Sequence, residues 1–298
     1  MDFPISLGEF LGLFCGFIWA LNVLILRSQI AAVPASMLNS IRCGAAALLT
    51  WTMLPFAPPL ATYLEVPLYE WGLLFGSVLV TIGIGDTLYL TAIKYIGVPR
   101  SLALSGIFPL PTIFFEWLLL ERPFAWGFVL GCLFVVAGVI CLAARASQEP
   151  KTSEKAPERL YLGASLALAA ALVWGLGTVM TKPAIAHLTP IQANSVRLPL
   201  VALVLYLPML WNKQAPGLRQ LGRRTLFMVA LSGVLGMGLG SATYLYAVKL
   251  IGPAESNTLA STSPVFGLVM AALFFKEKVH FRLALGVLLC VVGVWLVL

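Results

Sequence analysis

Ala92-Ile93-Lys94-Tyr95-Ile96-Gly97 returns as Ala247-Val248-Lys249-Leu250-Ile251-Gly252, 155 positions later. At the same offset Trp19 matches Trp174, Asn39-Ser40-Ile41-Arg42 matches Asn194-Ser195-Val196-Arg197, Gly85 and Tyr89 match Gly240 and Tyr244, and Pro109 matches Pro264. Gly131 and Gly138 return as Gly286 and Gly293. So many matches at one offset, spread over residues 7–144 with almost no insertion, mean that the chain is two copies of one unit. The acidic position slips by one, since Glu121 would pair with Lys276 and the matching acid is Glu277. A one-residue shift therefore lies between Pro264 and Gly286.

Composition says what that unit is. With 60% hydrophobic residues, 10% charged residues and a mean hydropathy of +0.96, the chain has too little polar surface for a water-soluble domain of 298 residues. Apolar stretches recur at 7–27, 35–54, 69–93, 98–120, 124–144, 160–182, 190–211, 225–248, 253–275 and 279–298. Each is close to the roughly 20 residues that cross about 30 Å of hydrocarbon. They are too long, and too interrupted by glycine, for the alternating strands of a barrel. The expected fold is an all-α membrane protein of ten transmembrane helices, five in a first repeat (1–144) and five in a second (160–298). Residues 145–159, charged and holding Pro150 and Pro157, form a solvated linker between them. Five is odd, so the second copy enters the membrane upside down relative to the first. Inverted repeats of this kind place a site at their interface, near the bilayer midplane, around a central cavity.

The net charge of +7 follows topology and not a nucleic-acid partner. Fourteen basic residues fall in the loops on one side and only Arg122, Lys182 and Lys249 on the other, with Arg42 and Arg197 inside spans. The positive-inside rule puts the richer side in the cytoplasm and both termini in the periplasm. The first apolar stretch follows Asp2 and Glu9 without a basic n-region and runs on to spanning length, so it is expected to stay as a helix. Cys15, Cys43, Cys132, Cys141 and Cys290 fall inside spans without metal-ligand spacing and read as small core residues. No phosphate-binding, zinc-protease or Asp-rich pattern is present, and His187 and His280 sit in loops with no carboxylate motif beside them. The reading is of no enzyme, no catalytic residues, no metal and no cofactor.

A helix ending in Ala-x-Lys-x-x-Gly, a next helix with a central proline, an acid at the following turn (Glu121, Glu277) and a glycine-spaced fifth helix together resemble the drug/metabolite transporter superfamily. The pattern is similar to its ten-helix EamA-type transporters over essentially the whole chain, and at whole-sequence level to the bacterial aromatic amino-acid exporters of the YddG type. The resemblance implies a secondary transporter that exports amino acids, aromatic or broadly neutral, across the bacterial inner membrane by alternating access. It also implies that helices 1, 3, 4, 6, 8 and 9 line the cavity while 2, 5, 7 and 10 pack outside. The partners are then a small-molecule substrate and membrane lipid, with the chain working as a monomer. The alternatives are an exporter of another small metabolite or drug, an intramembrane enzyme, or a channel. A carrier of phosphorylated sugars calls for cations in the cavity, which helices 4, 6, 8 and 9 hold only at or beyond their ends.

Residue chemistry at depth nominates the cavity. Trp19 and Asn22 on helix 1, Tyr89 on helix 3, Trp174 and Thr178 on helix 6, and Tyr244 on helix 8 offer aromatic faces with polar tips near mid-span. Ser101, Ser105 and Phe108 share a face of helix 4, and Asn257 and Ser261 stand in the corresponding stretch of helix 9. Asp86, with Ser241 as its counterpart, is a carboxylate at depth able to hold a proton or an ammonium group. These thirteen residues are the candidate substrate-binding set. Pro109 and Pro264, about 15 Å into their helices at 1.5 Å per residue, are candidate hinges. Arg42 and Arg197 read as structural anchors that snorkel or bond carbonyls. Lys94 and Lys249 read as cations placed at helix C-termini, where the helix dipole favours them. The Gly-x-x-x-Gly faces, such as Gly8, Gly12 and Gly16, read as intramolecular packing.

Overall fold

The computed structural model describes residues 5–26, 29–30, 33–123, 125–146, 157–211, 221–267, 270 and 281–297. Their long elements are helices, in the order α1 (Leu7–Leu26), α2 (Ala35–Met53), α3 (Leu68–Val98), α4 (Arg100–Leu120), α5 (Trp126–Ala146), α6 (Pro157–Ala184), α7 (Pro190–Trp211), α8 (Arg223–Ile251), α9 (Pro253–Ala260) and α10 (Phe281–Val297). Among the described residues α1, α3, α4, α6, α7 and α8 are long and apolar enough to cross a membrane. Most of the expected linker, the far half of the ninth apolar stretch with Lys276, Glu277, Lys278 and His280, and residue 298 lie outside the described residues.

The repeated hexapeptide ends α3 and α8. Gly97 and Gly252 take φ of 80° and 102°, a conformation that L side chains rarely adopt, and Pro99 and Pro253 follow with no amide hydrogen to continue the helix. The lysine of the motif does more than answer a helix dipole. Lys94 Nζ donates to the Val33 carbonyl (2.9 Å), and Lys249 Nζ donates to the Leu188 carbonyl (2.9 Å), again 155 positions on. Each lysine thus ties the end of one helix to the connection between two others.

Packing repeats at the same offset. Helix α1 lies against α8 and α9, and its counterpart α6 against α3 and α4; α2 lies against α7, and α5 against α10. The glycine face of α1 meets Ile251, Leu259 and the Ala260 carbonyl, so it packs within the chain. Four of the cysteines are buried and Cys141 is half-buried, all as free thiols.

Two features were not expected. Leu79–Asp86 within α3 and Gly233–Gly240 within α8 are π-helical, at matching places in the two halves. In addition, α4 breaks into a turn at Gly106–Phe108 and resumes with Pro109 at its first position, and α9 turns at Ser261–Thr262 before residues 263–267 become helical again. The interruption therefore precedes each proline instead of centring on it. The Ser105 carbonyl, which Pro109 cannot engage, accepts from the Phe108 amide (3.1 Å).

Candidate functional site

A cavity of about 200 Å³ lies among the helices, and both halves line it. Twelve of the thirteen nominated residues stand on its wall: Trp19, Asn22, Asp86, Tyr89, Ser105, Phe108, Trp174, Thr178, Ser241, Tyr244, Asn257 and Ser261. Ser101 does not. It is fully buried in α4 with its hydroxyl unpartnered, one turn below Ser105 and turned into the helix packing. Pro264 is on the wall and Pro109 is not.

The aromatic part of the wall is built twice. Trp174 packs its ring on Tyr89 (centroids 5.2 Å apart) and edge-on to Phe108 (5.9 Å), and its indole N–H donates to Asp86 Oδ1 (2.9 Å). Trp19 packs on Tyr244 (5.3 Å) and donates to the Gly236 carbonyl (3.3 Å). Each indole rests on backbone. A Cβ at Gly85 would stand 2.6 Å from Trp174 Cδ1, and one at Gly240 would stand 2.9 Å from Trp19 Nε1. The π segments thus present glycines where the indoles need room.

A polar chain crosses between the halves. Thr178 Oγ1 and the Tyr244 hydroxyl are 2.9 Å apart, the Tyr244 hydroxyl donates to Asn257 Oδ1, and Asn257 Nδ2 donates to Thr112 Oγ1 (2.6 Å). Both ends of the Asn257 amide are therefore engaged inside the protein, although its side chain borders the cavity.

The two cations on the wall were missed. Arg42 of α2 and Arg197 of α7 are buried, at 5% and 3% exposure, and both border the cavity, so neither snorkels to an interface. Val139 of α5 also reaches the wall, and helices 2, 5 and 7 therefore do not simply pack outside. Arg42 faces Asp86 at 3.9 Å and donates to Asn39 Oδ1 (2.9 Å). With the Asn22 amide assigned from its surroundings, its nitrogen donates to the Ser232 carbonyl (2.8 Å) and its oxygen accepts from Arg42 Nη2 (3.2 Å). The sequence signal for these two cations was the acid: the repeated arginine has Asp86 in one half and Ser241 in the other.

Toward one end of the molecule the cavity wall includes Leu26, the last residue of α1, and Leu102, in the first turn of α4. Beyond its other end, side chains tie the halves together. Arg122 donates to Glu116 (3.0 Å) and through both terminal nitrogens to Glu255 (2.9 and 2.6 Å), and Glu116 also accepts from the Ala254 amide (3.0 Å). On the same side His187 Nδ1 lies 2.8 Å from Glu70.

Known proteins are similar to the chain in sequence and in fold. The chain is 24% identical over 223 residues to an uncharacterized transporter of Archaeoglobus fulgidus, covering 74% of each. It is 28% identical over 134 residues to the uncharacterized transporter YetK of Bacillus subtilis, covering 45% of this chain and 40% of that protein. A solved crystal structure shares the fold, with a TM-score of 0.78 at 20% identity, over 98% of this chain and 95% of its own. The EamA-like transporter family matches twice, over residues 6–144 and 161–298, and the chain belongs to that family of membrane transporters.

Proposed function

We propose that the protein is a secondary carrier that exports amino acids, aromatic or broadly neutral, across the bacterial inner membrane. The observation that carries this reading is the wall of the cavity. Five aromatic rings (Trp19, Tyr89, Phe108, Trp174 and Tyr244) surround a space that also holds a carboxylate and two guanidiniums. Such a wall suits a solute with an apolar body and both signs of charge. Size agrees, because a cavity of about 150 Å³ takes a benzene, and about 200 Å³ leaves room for a small polar head beside the ring. A nucleotide-linked sugar is too large for it.

In this reading the chain has ten spans in two five-helix repeats, residues 1–144 and 160–298, joined by a cytoplasmic linker. Contacts that recur 155 positions apart support the pairing of the halves, and the odd helix number inverts the second. Both termini are periplasmic by the distribution of basic loops. The twelve wall residues named above contact the solute, and the breaks before Pro109 and Pro264 flex as the opening moves from one face to the other. The cluster around Arg122 closes the periplasmic end in the conformation described. A single chain supplies the whole cavity.

The test is counterflow in proteoliposomes with a panel of labelled amino acids, aromatic amines and unrelated metabolites. Phenylalanine, tryptophan or another neutral amino acid should exchange faster than the rest. Exchange confined to solutes that are not amino acids would refute the substrate assignment, and single-channel currents would refute the carrier.

A further inference from the structure

The two halves treat their shared arginine differently. Arg42 has Asp86, Asn39 and Asn22 around it. At the matching positions of the second half stand Ser241, Asn194 and Gly177. The acid has become a hydroxyl and one amide has become a glycine. The remaining amide is turned away, with Asn194 Nδ2 donating to Ser241 Oγ (3.1 Å). Both arginines bury an unpartnered Nε, but Arg197 is left, among the described residues, without a hydrogen bond or an ion pair from any of its nitrogens. The titratable group that acts on it is Tyr244, whose hydroxyl is already spent on Asn257. Yet Arg197 is 3% exposed and on the cavity wall.

A buried guanidinium without a counter-charge is strongly destabilising, and proteins keep one where something else supplies the anion. Among the described residues nothing supplies that partner. The wall carries two guanidiniums and one carboxylate, and the carboxylate belongs to the other arginine. We infer that Arg197 is the anion-binding residue of the cavity and takes the carboxylate of the solute, so that the transported class is organic carboxylates with an apolar body. Guanidinium geometry favours this, since its parallel N–H groups match the two oxygens of a carboxylate. The assignment deepens the carrier reading and rests on it. It also replaces the expectation of a structural anchor.

A structural anchor and an anion site predict opposite effects of losing the charge. Thermal unfolding of the detergent-solubilised full chain should be followed for the natural protein, Arg197→Gln, Arg42→Gln and Ser241→Asp, each with benzoate and with benzyl alcohol as the uncharged isostere. Arg42→Gln should unfold at lower temperature, because it strands Asp86. Arg197→Gln should unfold at the same temperature or higher. Ser241→Asp should also be stabilised, because it rebuilds in the second half the pair found in the first. Benzoate, and not benzyl alcohol, should stabilise the natural protein, and its apparent affinity should fall about tenfold or more in Arg197→Gln and Ser241→Asp. Should Arg197→Gln fail to fold, that result sides with the anchor, and retained benzoate binding in Ser241→Asp completes the refutation. No benzoate effect on the natural protein, or one that survives Arg197→Gln, overturns the inference outright. Amino-acid counterflow, measured separately, shows whether the carrier reading falls with it or stands alone.

Discussion

Gly83 and Gly85 lie two residues apart in the π segment of α3, and alanine at each adds the same atom to opposite surroundings. At Gly83 a Cβ meets nothing nearer than Leu79 Cδ2 at 3.8 Å, an ordinary contact. At Gly85 it would stand 2.6 Å from Trp174 Cδ1 and 2.7 Å from Nε1. Alanine at an open helical position stabilises by about 0.5–1 kcal/mol relative to glycine. The same gain at 85 is set against overpacking, about 1–3 kcal/mol. The displaced indole also strains its hydrogen bond to Asp86, and bonds to charged groups contribute about 1.5–3 kcal/mol. The indole relieves the clash by moving, so part of one loss substitutes for the other. The two variants should then differ by about 2–4 kcal/mol.

That difference has two ways to appear. If Trp174 keeps its place, α3 shifts and Gly85→Ala unfolds at lower temperature than the natural protein. If Trp174 swings into the cavity, stability is largely kept and solute binding weakens by about 10- to 100-fold, at 1.4 kcal/mol per factor of ten. Gly83→Ala should show neither effect and should be slightly stabilised. Unfolding in detergent and phenylalanine counterflow in proteoliposomes measure both. Equal behaviour of the two variants would refute the placement of the indole on Gly85.

Three further outcomes are expected. Arg122→Ala removes the tie to Glu116 and Glu255, and for a half-exposed pair worth about 0.2–1 kcal/mol per contact it should raise labelling of a cysteine at Thr181 by impermeant maleimide from outside about two- to tenfold; unchanged labelling would show that Arg122 closes nothing. Pro109→Ala and Pro264→Ala should slow exchange with binding nearly intact, because alanine lets the helix hydrogen-bond through the break; natural exchange rates in both would show static kinks. Alkaline phosphatase fused after Leu298 should be active and a fusion in the 145–159 linker inactive, and the reverse pattern would refute the orientation.

Much of the cavity was legible because its residues come in pairs. Trp19 with Trp174 and Tyr89 with Tyr244 are rare side chains for mid-span, and their repetition singles them out without any knowledge of which helices touch. What escaped depended on contacts between distant segments. Nothing local to Lys94 points to the Val33 carbonyl 61 positions away. The arginines were read from their symmetry as anchors that snorkel or bond carbonyls, and whether a long side chain reaches water or a cavity is decided by the neighbouring helix. Gly233 on α8 settles it for α2, since a Cβ there would collide with the backbone of Arg42 itself. Ser101 was misplaced by periodicity. An ideal helical face joins it to Ser105 and Phe108, but the cavity wall on these first turns of α4 is made by Leu102 and Ser105, and how far a cavity runs along a face is set by the helices packed against it.

Where the halves agree, they share mechanics: lysines on connection carbonyls, glycines of positive φ closing α3 and α8, indoles lying on glycine backbone. A cavity built from identical halves would hold two arginine–aspartate pairs, electrically satisfied and indifferent to any solute. The departures fall on its wall instead. Asp86 corresponds to Ser241, Asn22 to Gly177, and Phe108 to Ser263, all at the register that otherwise matches. Each removes from the second half a group that the first half uses internally, which leaves one arginine in want of an anion and more room on its side. On this inference the solute should bind off-centre, with its charged end toward α7 and its apolar body against Trp174, Tyr89 and Phe108. Restoring the lost symmetry, as Ser241→Asp does, should therefore make a better-packed protein and a poorer carrier.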